Sequence, residues 1–398
     1  MGIGNIADSG MQAAMSNMEV ISNNIANANT IGFKKSYINF ADIYPSSNGA
    51  APNQIGLGVD VASVNQDFSN GSYQFTSKAL DLGINGNGFF ILKDQSSGQL
   101  SYSRAGRFSS EQGYLMFGNK RLQGFQAVNG TIPSGGTVSD LQVSNAALPA
   151  KASTTAQVQV NLNSNQDPPT GVFDPNNNTT FNYQSSVPIY DSLGNQHTVT
   201  SYYVKTSANN WNVNVYVDGA SVGSGTMTFS QTGQLSATTG LNSLSYSPTT
   251  GATSPQTFSL NMTGSTQYGS PNGINLTQAD GYPPGNYTGV MVDGDGNVWM
   301  QYTNSQKLLA GQVAIATFQS PDGLADIGNM SWIATSASGN PIISQSNSLG
   351  NIRAGYVELS NVDLTTEMVN LLSAQHTFQA NAQVENTYNE VMQTVIKL

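Results

Sequence analysis

The chain has 398 residues, no cysteine, and a formal net charge of −10 from 13 Lys and Arg against 23 Asp and Glu. That balance excludes a nucleic-acid or anionic-membrane partner, since phosphate recognition needs clustered cations, and the missing cysteine excludes disulfides and thiol chemistry. No apolar run is long enough to span a bilayer, so no membrane insertion is expected, and with charged residues at only 9% the surface must be covered mainly by Ser, Thr, Asn, Gln and Gly.

In chain order, the first element is an amphipathic helix. Ile3, Ile6, Gly10, Ala14, Met18, Ile21 and Ile25 recur at steps of three and four, which lines one helix face. The first charged residue is Asp8, and no basic stretch precedes an apolar core, so no cleavable leader is expected. Asn27 to Gln66 holds Pro45, Pro52 and several glycines and reads as an irregular connector.

From Asp67 onward, alternation and turn residues take over. Leu80 to Ile84 and Gly88 to Leu92 read as strands around a glycine-rich turn, followed by short strands near Tyr102, Phe108, Tyr114 and Leu122. A shift to small residues at Ala146 to Thr155 marks a boundary. Between Ala156 and Gly285, runs such as Gln157–Leu162, Thr198–Lys205 and Trp211–Val217 are joined by Gly-Asn, Asp-Gly and Thr-Gly turns, the pattern of an all-β insert. Strands resume from Tyr287 to Ile343, so the inner β-domain is expected to close from two separated segments. A second amphipathic helix ends the chain. Leu364, Met368, Leu371, Phe378, Ala382, Met392 and Ile396 keep one heptad frame, and Tyr388, Val391 and Val395 widen the stripe.

The fold class expected is therefore mainly β with α-helical termini, nested β-domains standing on a terminal-helix coiled coil. The expected boundaries are 1–29 and 364–398 for the helical core domain, 30–70 and 352–363 for a connector, 71–146 and 285–351 for the inner β-domain, and 147–284 for the outer insert. Burying about eight side chains of one seam yields roughly 10–25 kcal/mol, less than the cost of ordering about 35 residues at roughly 1–2 kcal/mol each. Each seam needs a partner, and the two ends are expected to pair with each other and with neighbouring copies. The expected interface residues are Ile3, Ile6, Met18, Ile21, Ile25, Leu364, Met368, Leu371, Phe378, Val391 and Val395.

Catalysis is limited by supply. The histidines are His197, in a strand context, and His376, on the last helix. Asp191 and Asp218 sit in turn-like settings, and Gly83, Gly86 and Gly88 are followed by a strand instead of the helix that a phosphate loop requires. Asp293 to Asn297 opens like a calcium loop, but Val298 and Asn304 stand where such loops need Gly and Glu, so a hairpin turn is expected. No catalytic residue, cofactor or metal is expected.

Three blocks carry a resemblance. Asn23-Asn24-Ile25-Ala26-Asn27-Ala28-Asn29-Thr30-Ile31-Gly32-Phe33-Lys34 closely resembles the N-terminal signature of bacterial flagellar rod and hook proteins. Glu358-Leu359-Ser360-Asn361-Val362-Asp363-Leu364, with Ala374-Gln375 and Phe378-Gln379-Ala380-Asn381, resembles that family's C-terminal block, and Leu80-Asp81-Leu82-Gly83-Ile84-Asn85-Gly86-Asn87-Gly88 its first β-domain motif. The family usually has Arg after Ala-Gln, where this chain has His376. Rod subunits are shorter and lack a large insert, so the resemblance implies a hook-type member, a structural subunit of a curved, flexible tubular polymer that passes torque from rod to filament. It implies as partners other copies of the chain, the rod, hook-cap and hook–filament junction proteins, and the flagellar type III export apparatus, with an extracellular place in the flagellum. Phe40-Ala41-Asp42-Ile43-Tyr44 resembles the family's export-gate motif, which implies an export role for Phe40 and Tyr44; a strand fragment packing the two rings is the other reading. A distal-rod-type subunit with an enlarged insert, and a carbohydrate-active or carbohydrate-binding β-protein, are the alternatives.

Overall fold

A computed structural model describes residues 3–43, 56–133, 135–345 and 350–397. The chain forms two compact units, one of residues 1–145, 289–301 and 307–398 and one of residues 146–288 and 302–306.

The first unit begins with helix α1 (Ile3–Ala26) and ends with helix α2 (Leu364–Ile396), both expected from their periodicity. Asp363 caps α2, its carboxylate accepting the Thr366 N–H at 2.9 Å and so satisfying one of the orphan amides of the first turn. After α1 the chain turns back through Gly32, whose φ of +72° and whose approach to Ala105 leave no room for a side chain: a Cβ there would lie 2.5 Å from the Ala105 nitrogen.

The stretch read as an irregular connector is more ordered than expected. Strands β1 (Ser36–Asp42) and β2 (Val59–Gln66) pair antiparallel, Ser36 opposite Gln66 and Asp42 opposite Val59, with a register shift at Asn39/Phe40. Its prolines, Pro45 and Pro52, fall between the strands and outside the described residues, which is why punctuation alone hid the ribbon.

The unit's large sheet is built from two separated segments, as expected. Strand Lys307–Thr317 pairs with Lys120–Gln126 (Gln312 opposite Phe125) and with Phe89–Asp94 (Ile315 opposite Phe90). Buried Phe89, Ile91, Tyr102, Phe125, Phe318 and Trp332 form its core. Phe89 meets Phe318 and Trp332 edge-on at centroid separations below 6 Å, the geometry that aromatic quadrupoles favour.

The second unit is a β-sandwich. One sheet has five antiparallel strands in chain order from Tyr183 to Thr239; the other has four, including a parallel pair between Thr155–Asn161 and Gln256–Asn261. Along Asn210–Val217, buried Trp211, Val213, Val215 and Val217 alternate with more exposed residues, so one face of each strand enters the core. Trp211 also donates its Nε1–H to Gln267 Oε1 at 2.7 Å, which settles its polar atom inside that core.

Candidate functional site

The chemistry of this chain lies where its two ends meet. The helices run antiparallel: Gly4 faces Glu385 and Tyr388, Gly10 faces Asn381, and Asn24 donates to Glu367 Oε2 at 3.4 Å. At Gly10 a Cβ would lie 2.6 Å from the Asn381 amide, so the close approach depends on the missing side chain. Glu367, Ala374, Asn381 and Tyr388 recur every seventh residue and supply the α2 side, the 3.5-residue repeat of a supercoiled seam. The expected frame, through Met368 and Ala382, is displaced by one residue from this seam. Close packing favours small and polar groups at the crossing, and the larger apolar groups stand beside it.

That displacement divides the expected interface residues. Ile21 is buried, while Ile6, Met18, Ile25, Leu371 and Phe378 are half-buried. Leu364, Met368, Val391 and Val395 are 44–61% exposed, as are Val369, Leu372 and Val384 on the same helix. The side chain of Ile3 lies outside the described residues. Val391, Met392, Val395 and Ile396 lie beyond the residues of α2 that face Gly4, and all are exposed. Ile6, Gly10, Ala13, Phe40, Ala374 and Thr377 line an apolar groove of about 470 Å³ along the pair. Phe40 sits on β1 opposite Val61 and is 45% exposed; Tyr44 is outside the described residues.

Below the helices, the two motif blocks lock together. Lys34 Nζ meets Glu358 Oε1 at 2.7 Å and donates to Ser69 O at 2.6 Å; Arg104 Nη1 meets Glu358 Oε2 at 3.2 Å and Asn70 Oδ1 at 3.1 Å. The side chains of Lys34, Glu358 and Arg104 are at most 2% exposed. Gly71 N–H donates to the same carboxylate at 2.9 Å, and Gly32 N–H donates to the Glu358 carbonyl at 2.8 Å. Burial pushes the Lys34 ammonium below its ordinary value, opposed by Glu358 and reinforced by Arg104. Two amides continue the lock. Asn361 accepts the Lys35 N–H at 2.8 Å and donates to Asp67 O at 2.7 Å, while Asn24, 1% exposed, exchanges both hydrogen bonds with the Ser36 backbone at 2.8 and 2.9 Å.

Sequence reasoning had Asn24, Lys34 and Glu358 in its quoted blocks without their roles, and missed Arg104. A signal was present: a lysine ends one block and a glutamate begins the other in a chain poor in charge.

The second unit holds a cluster of one histidine and two aspartates. Of the expected turn residues, Asp191 accepts Asn195 N–H within its turn, Asp218 accepts Thr198 N–H from the neighbouring strand, and both converge on His197, at 3.4 Å from Nε2 and 2.6 Å from Nδ1. Burial would raise the Asp191 carboxyl, yet hydrogen bonds from Thr250, Asn195 and His197 hold it far below the carboxylate range. The Thr250 hydroxyl donates to Asp191 at 2.6 Å and not to the imidazole. The Asp293 turn is the expected hairpin turn, its carboxylate accepting Asn297 N–H, Asp295 N–H and Trp299 Nε1–H.

Comparison with known proteins matches three stretches. Residues 5–34 fit the flagella basal body rod protein model, 161–282 the flagellar basal body protein FlaE D2 domain, and 353–398 the flagellar basal body rod FlgEFG protein C-terminal model. The chain is 37% identical to flagellar hook protein FlgE of Escherichia coli (strain K12) and 30% identical to that of Borreliella burgdorferi, each over 98% of both chains. A crystal structure of Helicobacter pylori flagellar hook protein FlgE2 shares the fold at a TM-score of 0.53 and 14% identity, covering 72% of this chain and 100% of that one.

Replacing Glu358 by Gln leaves two buried cations without their counter-charge, a change that costs about 3–5 kcal/mol. Urea unfolding of the full chain measures it. A loss below about 1 kcal/mol would show that the carboxylate does not hold the lock.

Proposed function

From its place among the flagellar hook proteins, the family to which this chain belongs, we infer that it is a structural subunit of the bacterial flagellar hook, a tubular polymer of copies of itself. The observation that carries the assembly reading is the set of large apolar side chains along α2 (Leu364, Met368, Val369, Leu372, Val384, Val391 and Val395) that stay exposed although the helix already has an intramolecular partner. Apolar surface left exposed on this scale marks an interaction site. Contacts between unlike faces of identical copies generate an open helical array when the rotation does not close, which is how one chain makes a tube.

In this reading residues 1–29 and 364–398 form the tube's inner wall, 30–70 and 352–363 join it to an inner β-domain of 71–146 and 285–351, and 147–284 form the outer domain. An α2 of 33 residues reaches about 50 Å, long enough to touch several neighbours in a stacked array. Apolar seams of that length resist twist. The outer domain, with its charge-poor surface, makes wet contacts that rearrange at little cost, since few ion pairs need breaking, and bending occurs mainly there. The rod, cap and junction proteins at its ends, and uncleaved passage through the type III export apparatus with Phe40 and Tyr44 read by the export gate, complete the reading.

Leu372→Glu and Met368→Glu place a charge on exposed apolar surface of α2. Each should leave monomer stability within about 0.5 kcal/mol of the parent, as surface changes do, while abolishing polymer in electron micrographs; normal tubes would refute the interface. Removal of residues 147–284 should yield a polymer of altered curvature, and failure to assemble at all would contradict the division between twist and bend. The double change Phe40→Ala, Tyr44→Ala should stop secretion into the medium without loss of intracellular protein, whereas unchanged secretion would remove the export role.

A further inference from the structure

We propose that the apolar groove along the helix pair seats the C-terminal end of α2 from a second copy of this chain. The inference rests on the self-assembly reading and names the two surfaces that meet. The end of α2 is half of an interface. The seam on α1 repeats through Glu367, Ala374, Asn381 and Tyr388, and the next position of that heptad is Val395. Gly4 faces Tyr388, and α1 begins one residue earlier at Ile3, so the seam outruns the helix that covers it. Val391, Met392, Val395 and Ile396 are left 42–79% exposed. That much apolar surface on one short stretch of helix marks a contact.

The groove offers matching cover. Its volume is about 470 Å³, and α1 bounds it through Ile6 and Ala13, α2 through Ala374 and Thr377, and the β-ribbon through Phe40 and Val59. No charged side chain is among its lining residues, so an uncharged apolar insert is favoured over an acidic or basic one, whose charge would be buried unpaired. Lengths agree as well. Residues 6–17 of α1 extend about 16 Å and residues 389–396 of α2 about 12 Å, at about 1.5 Å per residue. The pairs Val391/Val395 and Met392/Ile396 give the four-residue spacing of anchors on a helix laid into a groove.

Connectivity selects the second copy. Val391 lies about 21 Å beyond Thr377 along the same helix, and that unbroken helix is itself one wall of the groove, so the end cannot fold back into it. The contact joins unlike surfaces. Each copy therefore keeps one free groove and one free end, and the array stays open.

Val391→Glu combined with Val395→Glu charges the end and leaves the groove intact. Thr377→Trp fills the groove from an exposed position and leaves the end intact, and Ser373→Trp repeats this one turn earlier. Sedimentation velocity of the full chain over a concentration series reads association, with thermal melting as the check on folding. Each variant alone should associate at least tenfold more weakly than the parent. An equimolar mixture of the charged-end and Thr377→Trp chains should form a one-to-one dimer that grows no further, because one intact groove meets one intact end. Variants that melt like the parent and associate as it does overturn the proposal, and so does a mixture that stays monomeric. Met368→Glu run in parallel separates the two readings: association lost there but kept in both groove-filled variants leaves the assembly reading intact and removes this one. A parent that stays monomeric at every concentration removes the assembly reading and this one with it.

Discussion

A single buried carboxylate organises the base of the helical pair. Glu358 receives the Lys34 ammonium, the Arg104 guanidinium and the Gly71 amide on its two oxygens, and its backbone carbonyl takes the Gly32 amide. Charges this far from water are stable only when matched, and the match is directional because each oxygen has its own partners. The geometry therefore fixes where the N-terminal helix leaves the β-structure and where the C-terminal helix enters it. Apolar packing alone would hold the segments together without setting their direction.

From that base, each helix does two jobs with different faces. The heptad of Glu367, Ala374, Asn381 and Tyr388 packs on α1, with Gly10 allowing the close approach, and large apolar side chains on both flanks of that seam face outward. A helix buried on one face and sticky on the next is the form a subunit takes when its own fold supplies half an interface and another copy supplies the rest. Polar Asn24 and Glu367 in the inner seam cost stability relative to apolar pairs, but they restrict the register in which the seam can form. The β-sandwich of the second unit makes the opposite choice. Its core is mainly aliphatic, with a few aromatic rings, its exterior almost without charge, and its histidine is held between two aspartates.

Much of the architecture was legible from periodicity. The helices at both ends, the β-character of the middle and the closing of one sheet from two distant segments all follow from local pattern, because side-chain repeat and turn chemistry are properties of short windows. The ribbon of β1 and β2 was not legible, since its strands are only weakly alternating and lie on either side of a proline-bearing stretch. The heptad frame of α2 was displaced by one residue for a related reason. Hydrophobicity ranks positions by their attraction to any partner, whereas the intramolecular seam was chosen by size, so Ala374 and Asn381 prevailed over Met368 and Ala382.

The sequence alone determined the fold class, the amphipathic helix at each end and, through three blocks of residues, the family, since each depends on residues near one another along the chain. Tertiary structure alone decided the site. Lys34 and Glu358 are 324 positions apart, and no local pattern states that their charges meet or that Arg104 joins them. Those facts arise from folding, when loss of water makes every buried charge find its partner.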